Sequence, residues 1–542
     1  MITPRYLAGF TGHRQLDNPD AVRAALAAEL AALKTRIKAA GGILELYSSA
    51  AYGADTLACE EAERLAIPVH IILPKPVVLD PQTGDLDAKE GFAADFWKGD
   101  TFLTEDWGRA HRIIQKAESS TTGGTLRLVT GSQTHPECYY DAGLQMLEAT
   151  DVLIAVWDGQ PARGLGGTEH FVRLAEKAQM PRIIISPSGD KIERPHMEKL
   201  ACVDESRKLI QLVDEFSHRY QSKDDNLSES DALFERLDKC SELEAKDFRK
   251  GLVRIIKAHA CAALVATIAA LLPSEPDWKI FLGSLASLEL CLVGWAIWRS
   301  RQLTHHHGTH ERWMQTRFAA EVMRAIKDSC GLHDPLHPLV ARHQPQWRRF
   351  AITVGLLIQN NKQSPSWSDA RKNYLEKRLF DLPNGQIPYF RIRHAQAVPH
   401  FQNALRWGKI LGWAALIFVS GAVIVKCCAI ADKFGFHYFH TPDPISKAPL
   451  NAASWLFDIT FKFLPIALPL LSGMFIALRT ALDSGRRSYR YSEVNQRLTA
   501  AAATLESLQT EAAVRRTVAA TEEVLLDELI EWHLAEKQNG AH

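Results

Sequence analysis

Four apolar runs in the carboxyl-terminal half limit what this chain can become more than any other feature. They are Ala258–Leu272, Ile280–Trp298, Ile410–Val425 and Phe463–Leu478, and Glu289 is the one Asp, Glu, Lys or Arg inside them. In hydrocarbon a backbone must satisfy its own hydrogen bonds, so such runs cross a bilayer as helices. Each is near or below the roughly 20 residues that a span needs, which leaves buried core helices as the competing reading. Pairing and flanking charge favour spans. A short turn, PSEPDWK, joins the first two runs and a longer connection joins the last two, so they read as two helical hairpins. Arg249, Lys250, Arg254 and Lys257 precede the first run, and Arg299 and Arg301 follow the second. Arg406 and Lys409 precede the third, and Arg479, Arg486, Arg487 and Arg490 follow the fourth. The first turn carries only Lys279 against Glu275 and Asp277. Positive charge marks the cytoplasmic side, so the expectation is a multi-pass protein of the inner (cytoplasmic) membrane, with the lipid bilayer as a partner and its soluble parts cytoplasmic.

Charges near the spans need a reason. An ionised Glu289 in mid-span costs a few kcal/mol, so it faces either another helix or a water-filled path. Asp458 and Lys462 stand one turn apart and are expected to pair. Pro465, Pro469 and Gly473 in the last run permit a kink or close packing.

The amino-terminal part reads differently. Asp151 to Glu169, DVLIAVWDGQPARGLGGTE, begins with a buried-strand run, turns through Gly164, Gly166 and Gly167, and enters a helix at Thr168. Strand, glycine loop and helix start form a phosphate site in a parallel α/β sheet, because glycines let the backbone approach an anion and free N–H groups point at it. Earlier runs alternate in the same way. Tyr6–Thr11 and Ile43–Tyr47 read as strands, and Pro68–Leu73 as a third. Asn18-Pro19 starts a helix that stops at Gly41-Gly42. Leu126–Thr130 and PRIIIS at 181–186 add strands, and Glu137–Ala149 a helix, while 75–124 reads as an insertion. The alternation predicts a Rossmann-like doubly wound parallel sheet. Ligands of such sheets sit beyond the carboxyl ends of the strands, which puts Gly12, His13 and Arg14, then Ser49, Gly53 and Asp55, then Asp158 and Gly164 to Glu169 on one rim.

Each rim residue has a plainer reading beside the functional one. Gly166 and Gly167 contact a ligand or merely allow tight packing. Thr168 binds or only caps the helix; Asp55 holds a ribose hydroxyl or caps. Arg14 clamps phosphate or makes a surface ion pair. His13 is read as a hydrogen-bonding structural group, and Asp158 and Glu169 as contacts to ribose or a base edge. Lys+Arg and Asp+Glu both number 63, so the balanced charge speaks against nucleic-acid binding. Nine cysteines without a CxxC pair point to a reducing compartment, with neither a zinc framework nor a disulfide scaffold. MITPRYLAGFTGHR has no signal-peptide pattern.

GFTGHR after the first strand, AAYGADTLACEEA after the second and DVLIAVWDG…GLGGT later resemble the SLOG superfamily over about residues 5 to 190. That group is Rossmann-like and includes LOG phosphoribohydrolases, DprA-like proteins and nucleotide sensors of bacterial defence. The resemblance implies a nucleotide-type ligand, a cyclic nucleotide or an ADP-ribose derivative, and no other cofactor. LOG enzymes carry PGGxGTxxE with a catalytic Glu. Here Glu169 follows Thr168 directly and Phe171, three residues after Thr168, stands at the family's Glu position, which favours a binding role over hydrolysis. The hairpins, ERWMQTRFAAEVMRAI after the second span and QIPYF before the third resemble SLATT domains over about residues 240 to 535. Those are two-transmembrane modules that travel with SLOG sensors.

Between the hairpins, His305, His306, His307 and His310 read as a solvated tract rather than a metal site. Met314, Phe318 and Val322 form an apolar helical stripe, and 347–359 and 366–379 read as two more helices. After the last span, 489–534 holds neither Pro nor Gly and carries an a/d rhythm at Leu498, Ala501, Leu505, Leu508 and Ala512. This long helix either packs on its own chain or self-associates, and a homo-oligomer is expected. The domain order is 1–222 sensor, 223–250 linker, 251–300 first hairpin, 301–405 helical segment, 406–480 second hairpin and 481–542 terminal helix. The two resemblances imply a nucleotide-signal-gated bacterial membrane effector in antiphage defence. The alternatives are a membrane-tethered nucleotide N-glycosidase or phosphoribohydrolase, and a membrane-anchored adaptor.

Overall fold

The structure is a computed structural model that describes residues 2–75, 77–79, 86–88, 104–119, 124–130, 137–200, 205–220, 228–272, 279–304, 308–332, 337–360, 366–382, 385–433, 456–481 and 484–540. It divides into two compact units that are not consecutive in sequence. The first comprises Met1–Cys240, Gln315–Gln386 and Arg497–His542, and the second Ser241–Met314 and Ile387–Gln496.

The first unit contains the expected Rossmann-like, doubly wound sheet. Its strands are β1 (Arg5–Gly12), β2 (Ile43–Ser48), β3 (Val69–Lys75), β6 (Leu126–Thr130), β7 (Val152–Val156), β8 (Arg182–Ile185) and β9 (Ile192–Glu193), in the order β6-β3-β2-β1-β7-β8-β9. All neighbouring pairs are parallel except β8 with β9, a short antiparallel edge that the sequence pattern did not announce. Within 75–124, the described pieces are a β4–β5 hairpin (Val77–Leu79, Leu86–Ala88) and helix α3 (Thr104–Glu118).

Strand alternation sorts the core into two faces. Tyr6, Phe10, Leu46 and Ile154 pack under α1 (Pro19–Ala39) and α2 (Ala54–Arg64). Asn18 starts α1 as expected, its Oδ1 accepting from Ala21 N at 3.1 Å. Leu7, Tyr47, Ile72 and Leu153 pack under α4 (Glu137–Ala149) and α5 (Thr168–Lys177), and also under Ile352 and Leu356 of α11 (Arg348–Asn360). A helix that lies between the second and third apolar runs in sequence is therefore part of the sheet's own core. Asp151, just before β7, fastens it: its carboxylate accepts from Arg348 Nη1 at 3.0 Å, Arg349 Nη1 at 3.2 Å and Leu7 N at 2.9 Å. Burial works to raise the Asp151 pKa, but the two guanidiniums and the Leu7 N–H hold it below the ordinary carboxylate value.

The rest of this unit is helical: α6 (Glu205–Ser217), the start of α7 (Glu229–Leu271), most of α9 (Thr309–Asp328), α10 (His337–His343) and α12 (Trp367–Asn373) with a π-helical continuation at 374–380. The carboxyl-terminal helix is broken into α15 (Ser484–Ser507) and α16 (Glu511–Gly540). At the break, Arg371 Nη1 donates to Leu508 O at 2.6 Å, giving an orphan helix-end carbonyl its partner. Val518, Leu525 and Trp532 of α16 are buried within the chain. Arg378 and Tyr374 both bond Glu522, at 2.7 and 2.8 Å, in a fully buried cluster.

The second unit holds the remainder of α7, α8 (Lys279–Thr304), α13 (Gln386–Lys433), a π-helical turn at 459–463, α14 (Leu464–Ala481) and part of α15. Among the described residues, four helices are long and apolar enough to cross a membrane, and no more than 17% of any of their apolar windows is buried. Ile280, Trp413, Ile417 and Ile476 stand exposed, the surface of a membrane protein rather than of core helices. Polar atoms between these helices are satisfied locally, as where Ser472 Oγ donates to Gly408 O at 3.0 Å. Asp458 and Lys462 pair at 2.7 Å, as expected from their spacing. Glu289 is half-buried in α8. His310 is buried and stacked 4.6 Å from the Phe248 ring, whereas His305, His306, His307 and most of PSEPDWK lie outside the described residues. No metal-binding cluster occurs among the described residues.

Candidate functional site at the strand ends

The sheet reverses its winding between β1 and β7, so a crevice opens beyond their carboxyl ends. Most of the sequence-predicted residues meet there. The β1 chain continues along β7, with His13 N donating to Val156 O at 3.1 Å. His13 Nε2 then lies 3.2 Å from both Asp158 N and Asp158 Oδ1. One ring nitrogen cannot serve both, so the bond made follows the tautomer. Burial opposes ionisation of Asp158, but the Gln160 N–H and His13 hold its pKa below the ordinary value.

Arg14 is exposed, its guanidinium 5.2 Å from the Tyr52 ring centroid. Gly53 locks its loop against Arg14. At φ +94° it occupies a backbone region that side chains disfavour, and an added Cβ would lie 2.7 Å from Arg14 Cα. Ala54 N completes the junction by donating to His13 O at 3.1 Å.

Gly53 is the N-cap of α2, so Asp55 is not the cap. Its carboxylate turns inward instead, 3.2 Å from Ser48 Oγ. Burial pushes its pKa up to about 7, against the opposing pull of the Ser48 hydroxyl, the Arg14 charge and the Gly12 N–H. Ser49 is half-buried at the end of β2.

The glycine loop reaches the same rim. Gly167 N donates to Gly164 O at 3.2 Å, closing a turn, and Gly167 rather than Thr168 occupies the cap position of α5. Thr168 instead places its hydroxyl 3.4 Å from Thr11 Oγ1 at the end of β1. Gly166 has φ +80°, and a Cβ there would come within 3.0 Å of Tyr140 N, so its glycine serves packing on α4. A Cβ on Gly164 meets nothing within 4 Å, leaving open space over the loop. The first N–H groups of a helix, at Thr168 and Glu169 in α5, lie beyond the reach of its own i to i−4 bonds.

Glu169 is engaged by its own loop and helix. Its Oε2 accepts from Ala162 N and its Oε1 from Arg173 Nε, both at 3.3 Å, so it braces the glycine loop. Arg173 also lies 5.8 Å from the Trp157 ring centroid. Thr11 and Trp157 were not singled out in the sequence, and Ser48 and Tyr52 only as part of the rim stretch from Ser48 to Asp55. The signal for them was position: each stands within four residues of the carboxyl end of β1, β2 or β7. The strand ends and glycine loop offer backbone donors, two exposed arginines, Arg14 and Arg163, and the Thr11 and Thr168 hydroxyls, a set of groups suited to an anion. Compared with models of protein families and with curated proteins, the chain matches none.

Proposed function

We propose that the chain is a nucleotide-signal-gated effector of the bacterial inner membrane, built from a SLOG-like sensor and a SLATT-like membrane region and acting in antiphage defence. The observation that supports the reading is a rim of backbone donors, Arg14 and the Thr11 and Thr168 hydroxyls at the strand ends, on the same chain as four helices, among the described residues, apolar enough to cross a membrane. A cyclic nucleotide or ADP-ribose derivative would set its phosphate on the α5 N-terminus and against Arg14, with ribose or base near His13 and Asp158. Glu169, committed to bracing the loop, leaves the binding role favoured over hydrolysis. The basic flanks of the spans support a cytoplasmic sensor, and the chain is read as a homo-oligomer. Binding drives the membrane response only through differential affinity for two arrangements.

One observation favours a second reading, the tethered nucleotide N-glycosidase: the buried Asp55 carboxyl, with a pKa near 7 beneath the rim, is in the range of a general acid. Both readings meet one experiment. Full-length protein in dye-loaded vesicles is exposed to cyclic nucleotides, cyclic dinucleotides and ADP-ribose isomers, with mass spectrometry of each compound afterwards. Leakage with the compound unchanged supports the sensor; release of free base supports the enzyme. Leakage that is independent of nucleotide, and equal in Gly167→Asp, would sink the gating reading.

A further inference from the structure

The sheet unit contains a second place suited to a ligand. A cavity of about 70 Å³ lies between β1, β2 and β6 on one side and α9, α10 and α11 on the other. Leu7 of β1 lines it, five residues before Gly12, so it is separate from the rim. Its wall is apolar at Ile326, Ile352 and Leu356 and polar at Tyr47, Arg127 and His337. We propose that this cavity binds a small uncharged alcohol, whose hydroxyl donates to His337 Nε2.

Four features lead to that chemistry. First, His337 is 5% exposed and its Nε2 has no hydrogen-bond partner among the described residues. Folded proteins rarely leave such an atom unsatisfied. Burial first, then the Arg348 and Arg127 charges, keep the imidazole neutral. The ring's other nitrogen donates to the Glu148 backbone, and a neutral imidazole carries a single N–H, so Nε2 is an acceptor that lacks a donor. Second, no charge on the wall calls for a counter-ion. Arg127 is the one permanently charged residue among those that line the cavity, and it already has a partner of its own. Arg348 stands outside the lining and is paired with Asp151. Burial raises the Tyr47 pKa, so that side chain is a neutral phenol. An ionic ligand would therefore be buried unpaired, at high cost. Third, Gly355 lines the cavity in the middle of α11, and a Cβ built on it meets no atom within 4 Å. Glycine weakens a helix interior relative to alanine, so its presence there costs stability and keeps the space open. Fourth, the volume sets the size. A cavity of about 150 Å³ admits benzene, so this one has room for roughly three or four non-hydrogen atoms. One hydroxyl for His337 and a short hydrocarbon body for the isoleucines and leucines fill it, as in 2-propanol.

The experiment is a thermal-shift titration of the full chain in detergent micelles, at millimolar probe concentrations. 2-Propanol is the probe. Acetone matches it in size but lacks the donor, while acetate and isopropylammonium match it in size but carry a charge. 2-Propanol is expected to raise Tm saturably, with acetone at least tenfold weaker and the two ions without effect. Gly355→Leu, which fills the space, is expected to abolish the 2-propanol response. Should that variant not fold, Gly355→Ala serves: its basal Tm rises while 2-propanol affinity falls. No saturable shift in the wild type, or an unchanged one in the glycine variants, overturns the proposal; a cavity that holds only water gives the first result. Acetone as effective as 2-propanol overturns the role of His337 Nε2, and a stronger response to either ion overturns the uncharged ligand. Nucleotide titration at the rim runs in parallel, so failure here leaves the nucleotide reading untouched, and the reverse.

Discussion

Asp151→Ala should release α11 from the sheet while leaving the distant rim intact. The carboxylate is 6% exposed, and its two arginine partners are 25% and 9% exposed. Removing one partner of a buried pair costs about 3–5 kcal/mol, because the remaining charge stays desolvated. Arg348 can turn to water, which lowers the expected cost to about 3 kcal/mol, or on the order of a hundredfold in a local opening equilibrium. Hydrogen exchange followed by mass spectrometry reads this directly, since local opening sets amide protection. Amides over 350–358 should exchange on the order of a hundredfold faster in the variant, while those over 164–173 keep their protection. The pH dependence has a definite sign. The folded pKa of Asp151 is lowered, so its contribution is fully present above the unfolded value near 4 and is lost as pH falls through the folded one. Wild-type amides in α11 should lose protection in acid, and the variant should show no such loss. Wild-type exchange rates in α11 of Asp151→Ala would refute the clamp.

Three further outcomes follow from the same geometry. Gly53→Ala forces a side chain into a positive-φ position beside Arg14 Cα; it should cost about 1–3 kcal/mol and weaken nucleotide binding, both read by thermal shift with and without nucleotide. The Asp55 pKa is raised from 3.8 to about 7, so between those values the folded state holds a proton that the unfolded chain has released. Wild-type stability should therefore fall as pH rises through that window, by up to ~4 kcal/mol, and level off above it, whereas Asp55→Asn should lack the slope in a Tm-against-pH series. Glu522→Ala strands Arg378, whose side chain is 2% exposed, and should cost about 3–5 kcal/mol. The double change Arg378→Met with Glu522→Met should cost less than that single one, and chemical denaturation of the two variants beside the wild type decides it.

Short-range chemistry was legible and long-range packing was not. Asn18-Pro19, the buried runs of β1 and β7 and the helix after Gly167 each announce themselves within a few residues, and each lies where the pattern puts it. The four helices apolar enough to cross a membrane among the described residues were likewise readable, because their apolarity is continuous along the chain. The burial of residues 350–358 against the sheet could not be read from periodicity, since an amphipathic helix shows a face but not its partner. One hint was present. Arg348 and Arg349 open α11, where the helix dipole disfavours cations, and two adjacent arginines there call for a carboxylate elsewhere in the chain. The contacts of Glu169 were illegible for a related reason: its bonds to Ala162 and Arg173 depend on a spacing that only the folded turn fixes.

The same strand bears on how a nucleotide signal would leave the rim on the proposed reading. β7 begins beside Asp151, which holds α11, and ends at Val156, where the crevice opens. Its five residues span about 16 Å, so the two ends are joined by a strand buried on both faces and hydrogen-bonded on both edges. Such a strand transmits displacement rather than absorbing it. The element at its far end is flanked in sequence by the second and third apolar runs. Ligand binding that favours one position of β7 must therefore also favour one state of the Asp151 clamp, and the coupling is reciprocal. Loosening the clamp with Asp151→Ala should then change nucleotide affinity at the rim without touching any residue there. An affinity equal to wild type would mean that the signal takes another route.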